Sequence, residues 1–271
     1  MLKLTHLSAI LFTGADAGSF LHSQLSADVL GLADGDSTFA CYCEPKGRVL
    51  ALLLVQKINE DYYVIMSSAL ATAVTQRLAI YRMRSKVVIE VLDGYTISGM
   101  RDDEATDPVL SNTQAIKIPG SAQWLVVATL DISADETVAL QEEWRVSELS
   151  QGITWLNPDT SGEFLPQMLG FEALGAVNYR KGCYPGQEIV ARTHYLGKVK
   201  RHPRLLNCKL KNCPKPMDKI KIFDDDQGHD AIIVDSGIGA DGNICLLTVT
   251  RMDPALTARQ IEYLDEIITV I

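Results

Sequence analysis

Asn178-Tyr-Arg-Lys-Gly-Cys-Tyr-Pro-Gly-Gln-Glu-Ile-Val-Ala-Arg192 is the stretch on which the reading of the whole chain turns. Gly182 and Gly186 bracket Cys183, and Pro185 is placed for the first turn of a helix that continues through Ile189 and Val190. A thiol just ahead of a helix N-terminus meets the positive end of the macrodipole. Arg180 and Lys181 add cationic charge beside it. Both features favour the thiolate, the form that acts as nucleophile or metal ligand, and the glycines let a ligand approach the backbone. On chemistry alone a second reading stays open, a buried structural cysteine in a Gly-rich turn. His194 is the nearest imidazole, and it can equally be a surface residue.

Upstream of this stretch the chain alternates hairpins with single helices, an α+β pattern. Thr13-Gly-Ala-Asp16 has capping-box spacing ahead of Leu21, Leu25 and Val29, which predicts an amphipathic helix. Strands are predicted at Thr38–Cys43 and Val49–Gln56, joined by the tight turn Glu44-Pro-Lys-Gly-Arg48, then at Asp61–Met66. A helix from about Ala69 carries Leu70, Val74 and Leu78, and Lys86–Leu92 returns as a strand. The polar stretch from Arg101 to Pro108 predicts a loop or a hinge between lobes, placed near 101–120. Trp124–Leu130 reads as a buried strand, and Ser133-x-x-Glu136 as a second capping box opening a helix to roughly Leu149. After Arg204 the style changes to short strands at Lys219–Phe223, Ala231–Ser236 and Ile244–Thr250 between Asp/Gly turns. Such spacing predicts a small all-β barrel. The expected division is therefore an α+β region of two lobes at 1–204 and a barrel at 205–271.

With 271 residues, 47% of them hydrophobic, the chain can bury a full core as one large domain or two to three small ones. Average Pro and Gly usage argues against disorder or a collagen-like repeat. A net charge of −9 argues against wholesale coating of nucleic acid. That average conceals two opposed surfaces: Arg180 to Lys221 holds twelve Lys/Arg and two Asp/Glu, the remainder thirteen and thirty-two. Arg192, His194, Lys198, Lys200 and Arg201 form either a solvated face or a site for an anionic ligand tail or RNA. The longest apolar run, Val49–Val55, is far short of the roughly twenty residues of a membrane span. No membrane segment and no signal peptide are expected. Six cysteines at irregular spacings predict free thiols and a cytoplasmic location. Cys41 and Cys43 share a strand face, which suits core packing better than a metal shared with Cys183. Asp224-Asp-Asp226 suits a hairpin loop better than calcium, and no metal site is expected.

Lys181-Gly-Cys-Tyr-Pro-Gly-Gln-Glu188 closely resembles the K-G-C-Y-x-G-Q-E signature of the YgfZ family, folate-binding proteins related to the glycine-cleavage T-protein. Phe20-Leu-His-Ser-Gln-Leu-Ser-Ala-Asp-Val29 resembles the family's Y/F-L-x-G-Q-x-T-x-D-V helix, and Cys43-Glu-Pro-Lys-Gly-Arg48 its C-D-x-K-G-K/R turn. Tyr81-Arg-Met-Arg-Ser-Lys-Val87 and Phe164-Leu-Pro-Gln167 resemble two further segments in the same order. The resemblance covers about residues 11 to 204. It implies a glycine-cleavage T-protein-like N-terminal folate-binding fold of two α+β lobes with a C-terminal β-barrel around a central ligand hole.

The resemblance also implies an accessory role in assembling or repairing iron–sulfur enzymes, including tRNA-modifying ones. Cys183 would be the reactive residue, with Lys181, Gly182, Tyr184, Gly186, Gln187 and Glu188 as its surrounding motif. The implied cofactor is tetrahydrofolate or a related folate; the implied partners are iron–sulfur client proteins, with tRNA a possibility at 180–221. Trp144, which can be either a core aromatic or a stacking platform, Arg180 and Arg192 are the candidate ligand contacts. Ser150 stands where related folate proteins carry a pterin-binding Glu, and a hydroxyl cannot give a carboxylate's bidentate contact. Glu148 lies two residues away and requires a different backbone course to substitute. Two alternatives remain: a tetrahydrofolate-dependent aminomethyltransferase, against which the missing Glu weighs, and a tRNA-binding module.

Overall fold

The computed structural model describes residues 1–105, 113–129, 137–197, 199–224, 227–264 and 266–271. From the N-terminus run β1 (Leu2–Lys3), β2 (Leu7–Thr13), helix α1 (Ala17–Gln24), β3 (Ser37–Cys43), β4 (Val49–Ile58) and β5 (Asp61–Ser67). Helix α2 (Ser68–Arg82), β6 (Val88–Val91), β7 (Thr96–Arg101), β8 (Gln114–Lys117), β9 (Gln123–Ala128) and helix α3 (Val138–Ser150) follow. Helix α4 (Gln187–Tyr195) then leads into β10 (His202–Cys208), β11 (Lys219–Phe223), β12 (Gly228–Ile238), β13 (Ile244–Thr250), β14 (Gln260–Tyr263) and β15 (Glu266–Thr269).

Three antiparallel sheets result, in the orders β3-β4-β5-β2-β6, β1-β7-β9-β8 and β10-β13-β12-β11-β14-β15. The apolar run of β4 is almost wholly buried because helices cover one face of its sheet and the long 150–180 segment runs along its edge; Val49 N donates to Phe164 O and Gly162 N to Val49 O. A strand covered on both faces loses the alternating pattern. Helix α2 buries Leu70, Ala71, Val74 and Leu78, the stripe its period predicts. The third sheet curls until its edges meet: Cys208 bridges Val270, and Ile271 N donates to Asn207 O at 2.7 Å. Its interior is a separate apolar cluster built on Leu206, Ile222, Ile233 and Leu246, whereas Val234, Leu247 and Val249 on its outer face belong to the main core. The barrel therefore packs on the rest of the molecule through apolar residues, mainly against α3.

Several local expectations change. Helix α1 stops at Leu25, whose backbone is extended, because the chain turns to bridge Tyr42 and Ser26 N donates to Cys41 O. Val29 is thus buried outside the helix. Thr13 ends β2 rather than capping α1, and Asp16 carries its carboxylate to Lys86 N. Ser133 and Glu136 lie outside the described residues. Of the stretch expected to hinge, Arg101 and Gln114–Lys117 belong to one sheet, and 106–112 lie outside the described residues. The boundary expected at 204 falls inside β10. The hairpin expected around Asp224 joins β11 to β12.

Candidate functional site

The Cys183 segment is irregular, and its shape comes from three anchors. Asn178 starts it, its Oδ1 accepting from Arg180 N at 2.8 Å and Lys181 N at 3.1 Å. Lys181 then drives its ammonium into the C-terminus of α1, donating to His22 O and, at 2.5 Å, to Leu25 O. These are carbonyls that a helix end leaves unpaired, and a cation suits them. Burial lowers this ammonium to about 8, with Asp28 and Cys183 opposing the shift. Tyr184 is buried over the thiols of Cys41 and Cys43, and its ring centre lies 5.2 Å from Lys181 Nζ. Its hydroxyl is pushed well up by burial, then by those thiols.

The third anchor is Gly186, the N-cap of α4 at φ +83°. A Cβ there would sit 2.6 Å from Gly47 Cα, and one on Gly47 would meet Ile189 Cβ at 3.1 Å. The turn 44–48 and the cysteine motif thus lock together, glycine against glycine. Pro185 stands before the helix rather than in its first turn. The close approach permitted by Gly186 is to the protein's own turn rather than to a ligand. Between the anchors, Gly182 and Cys183 are exposed, which excludes the buried structural cysteine. Gln187 opens the helix, and Glu188 is exposed in its first turn, where a carboxylate suits the dipole. Cys41 and Cys43 are buried, and hydrogen bonding between them, then burial, drives the Cys43 thiol well above its ordinary value. Among the described residues no group of three His, Cys, Asp or Glu is placed to hold a metal ion.

A cavity of about 280 Å³ lies where α3, the β1–β2 connection, the end of β5 and the barrel meet. Glu148 projects into it, 1% exposed. Its Oε1 accepts from Trp155 Nε1 at 3.0 Å, while Oε2 has no hydrogen-bond partner. His6 Nε2, also without one, lies 3.6 Å from Oε2. Arg145 and Asp235 form an ion pair on the cavity wall, and Asp235 also accepts from Thr154 Oγ1 at 3.2 Å. An orphaned buried carboxylate oxygen is costly unless something donates to it, so the cavity suits a ligand that brings an N–H donor to Oε2.

The sequence-predicted contacts separate. Ser150 is exposed at the end of α3, its hydroxyl donating to Ser147 O at 2.8 Å. The carboxylate in the cavity is that of Glu148, which helix α3 turns inward. Trp144 is buried with its ring against Gly99, beside a different cleft that includes Arg101 and Glu143. Arg180 and Arg192 are exposed near the cysteine motif. Lys198 lies outside the described residues. Sequence reasoning missed His6 and Trp155 as cavity residues. The signal available for Glu148 was its position four residues from Trp144, on the stripe that the helix buries.

No family model matches the chain. An uncharacterized protein of Haemophilus influenzae is 31% identical over 205 residues, 74% of this chain and 70% of its own. The tRNA-modifying protein YgfZ of Aliivibrio fischeri is 28% identical, covering 76% of this chain and 70% of its own, and that of Colwellia psychrerythraea is 24% identical over 97% and 93%. Among solved structures, the glycine cleavage system aminomethyltransferase T of Bartonella henselae superposes with a TM-score of 0.76 at 14% identity, over 99% of this chain and 83% of that one. The fold is therefore that of the glycine-cleavage T-protein, with its curled C-terminal sheet. No helix among the described residues is long and apolar enough to cross a membrane.

Proposed function

Because the chain belongs to the YgfZ family, we propose that it is a folate-binding-type accessory protein that supports iron–sulfur enzymes, tRNA-modifying ones among them. The observation that carries the ligand half of this reading is the orphaned Glu148 Oε2 inside the cavity beside α3. A buried carboxylate recognises the amino and ring N–H groups of an aminopyrimidine edge through two charge-assisted hydrogen bonds. Glu148 would hold that edge, its orientation fixed by Trp155 Nε1, and His6 lies close enough to meet a polar substituent. Bound there, a folate would supply a one-carbon carrier.

Cys183 serves the second half. It is displayed to solvent on a segment clamped by Lys181, Tyr184 and Gly186, so a client cluster or metal can reach it without local unfolding. The protein would be located in the cytoplasm, where free thiols persist. Titration calorimetry with tetrahydrofolate is the test. Wild type is expected to bind, and Glu148→Gln to bind at least tenfold more weakly, the effect of losing about 1.5–3 kcal/mol of charged hydrogen bonding. Equal binding by both would sink the role of Glu148. In a strain lacking the protein, Cys183→Ser is expected to fold yet fail to restore iron–sulfur enzyme activity. Turnover of an aminomethyl donor by the purified protein would instead favour the aminomethyltransferase reading.

A further inference from the structure

We propose that Tyr179, His194 and Tyr195 form a stacking site for an unpaired nucleotide of an RNA strand. The choice of RNA over DNA rests on the functional reading above; the stacking site itself does not. The rings of Tyr179 and His194 are stacked, with centroids 3.9 Å apart and planes at 18°. Tyr195 stands edge-on to both, 5.7 Å from Tyr179 and 4.8 Å from His194. The arrangement is fixed from beneath. Glu172 accepts from the Tyr179 hydroxyl and pairs with His194 Nδ1 at 2.8 Å, while Gln167 Nε2 donates to the same hydroxyl at 3.0 Å.

Such a cluster would be ordinary in a core, but Tyr195 is 64% exposed and the neighbouring Leu196 84%. The rings border an open depression of about 490 Å³, completed by Gly175, Val177, Asn178 and Arg180. A nucleobase with its sugar fits such a volume. Arg180 lies at the rim and carries no acidic partner among the lining residues, while Arg192 is exposed three residues before Tyr195 on the same helix. The carboxylate nearest the rings, Glu172, is committed to Tyr179 and His194. Rigid exposed aromatics beside free cations are the features by which proteins hold unstacked RNA bases and their phosphates. A protein partner is less well served, because the lining of the depression offers a single aliphatic side chain, Val177, beside its aromatic and polar groups.

Fluorescence anisotropy with the full chain tests this, using a labelled RNA hairpin with an unpaired loop and a fully paired duplex of equal length. The hairpin is expected to bind at least tenfold more tightly than the duplex. Tyr195→Ala should weaken hairpin binding about tenfold, as loss of one stacked base does, and Tyr195→Phe should preserve it. Arg180→Gln should lower the slope of log affinity against log salt by about one. Glu148→Gln should bind the hairpin like wild type. Undiminished binding by Tyr195→Ala, equal binding of duplex and hairpin, or equally tight binding of adenosine monophosphate would each overturn the proposal. So would no RNA binding at all; if tetrahydrofolate still binds, the reading of the Glu148 cavity survives that failure.

Discussion

Cys183 differs from the other five cysteines chiefly in its access to solvent. Cys208 and Cys245 sit in barrel strands, where burial pushes both thiols up to about 11. Cys41 and Cys43 lie beneath Tyr184, and Cys213 is half-buried with its thiol donating to Ser236 Oγ at 3.1 Å. Reagents of the aromatic disulfide type need both a thiolate and an open path. At about pH 8 a single thiol per chain is therefore expected to react rapidly, and Cys183→Ser should abolish that phase. All six should react in guanidinium. A rapid phase that survives in Cys183→Ser would contradict the structure. The motif's spacing singles out this residue from sequence, but its exposure is not legible there. Nothing local says that Lys181 and Tyr184 turn inward while the two residues between them stay out. Glu148 is visible in the sequence only as a neighbour of Ser150, because a carboxylate on a helical stripe reads as core.

At the scale of elements, periodicity served well where one helix face meets one sheet, as in α2, and where a strand alternates, as in β11. It failed at the end of α1, where the pairing of Leu25 with Tyr42 overrides a continuing apolar repeat. That same helix end holds Lys181, and its lowered ammonium has a stability consequence. In the unfolded chain the amine binds its proton up to its ordinary value of about 10.5, in the folded chain only to about 8. Between these values the unfolded state binds more protons, so stability rises with pH through this window. Below about 8 the full burden of burying the charge is present. The ratio of urea midpoints at pH 9.5 and pH 7.5, both pH values chosen roughly to bracket the folded value, should be larger for wild type than for Lys181→Met. The substitution also removes the two carbonyl contacts, worth about 1 kcal/mol, so the stability of Lys181→Met relative to wild type should fall further behind at pH 9.5 than at pH 7.5. An identical pH response in the two proteins would show that Lys181 is not buried as described.

On the scale of the whole molecule, the barrel and the α+β region meet through both shared apolar core and polar contacts centred on Asp235. Gly237 of β12 lies so close to α3 that a Cβ there would meet Val146 Cγ2 at 2.9 Å. A register shift between Ile233 and Asp235 marks a bulge in β12, which re-aims Asp235 at Arg145 and Thr154. No sequence pattern announces such a contact, because it depends on which barrel face α3 covers. Removing the Asp235 carboxylate leaves the Thr154 hydroxyl without that acceptor and the Arg145 guanidinium with only Glu142, 3.8 Å away, as its acidic partner. A fully buried pair broken in this way costs about 3–5 kcal/mol, but Arg145 is 36% exposed and water recovers part of that loss. Asp235→Ala should therefore lower the thermal midpoint by roughly 3–6 °C, the shift that about 1–2 kcal/mol produces in a chain of this size. Asp235→Asn, which keeps one oxygen to accept from either Thr154 or Ser236 N but not from both, should lower it less. Because Val234, Leu247 and Val249 join the barrel to the main core, wild type and both variants should melt in one transition. A second, separate transition in calorimetry would show that the barrel unfolds on its own, and an unchanged midpoint in Asp235→Ala would show that the ion pair contributes nothing to holding the two parts together.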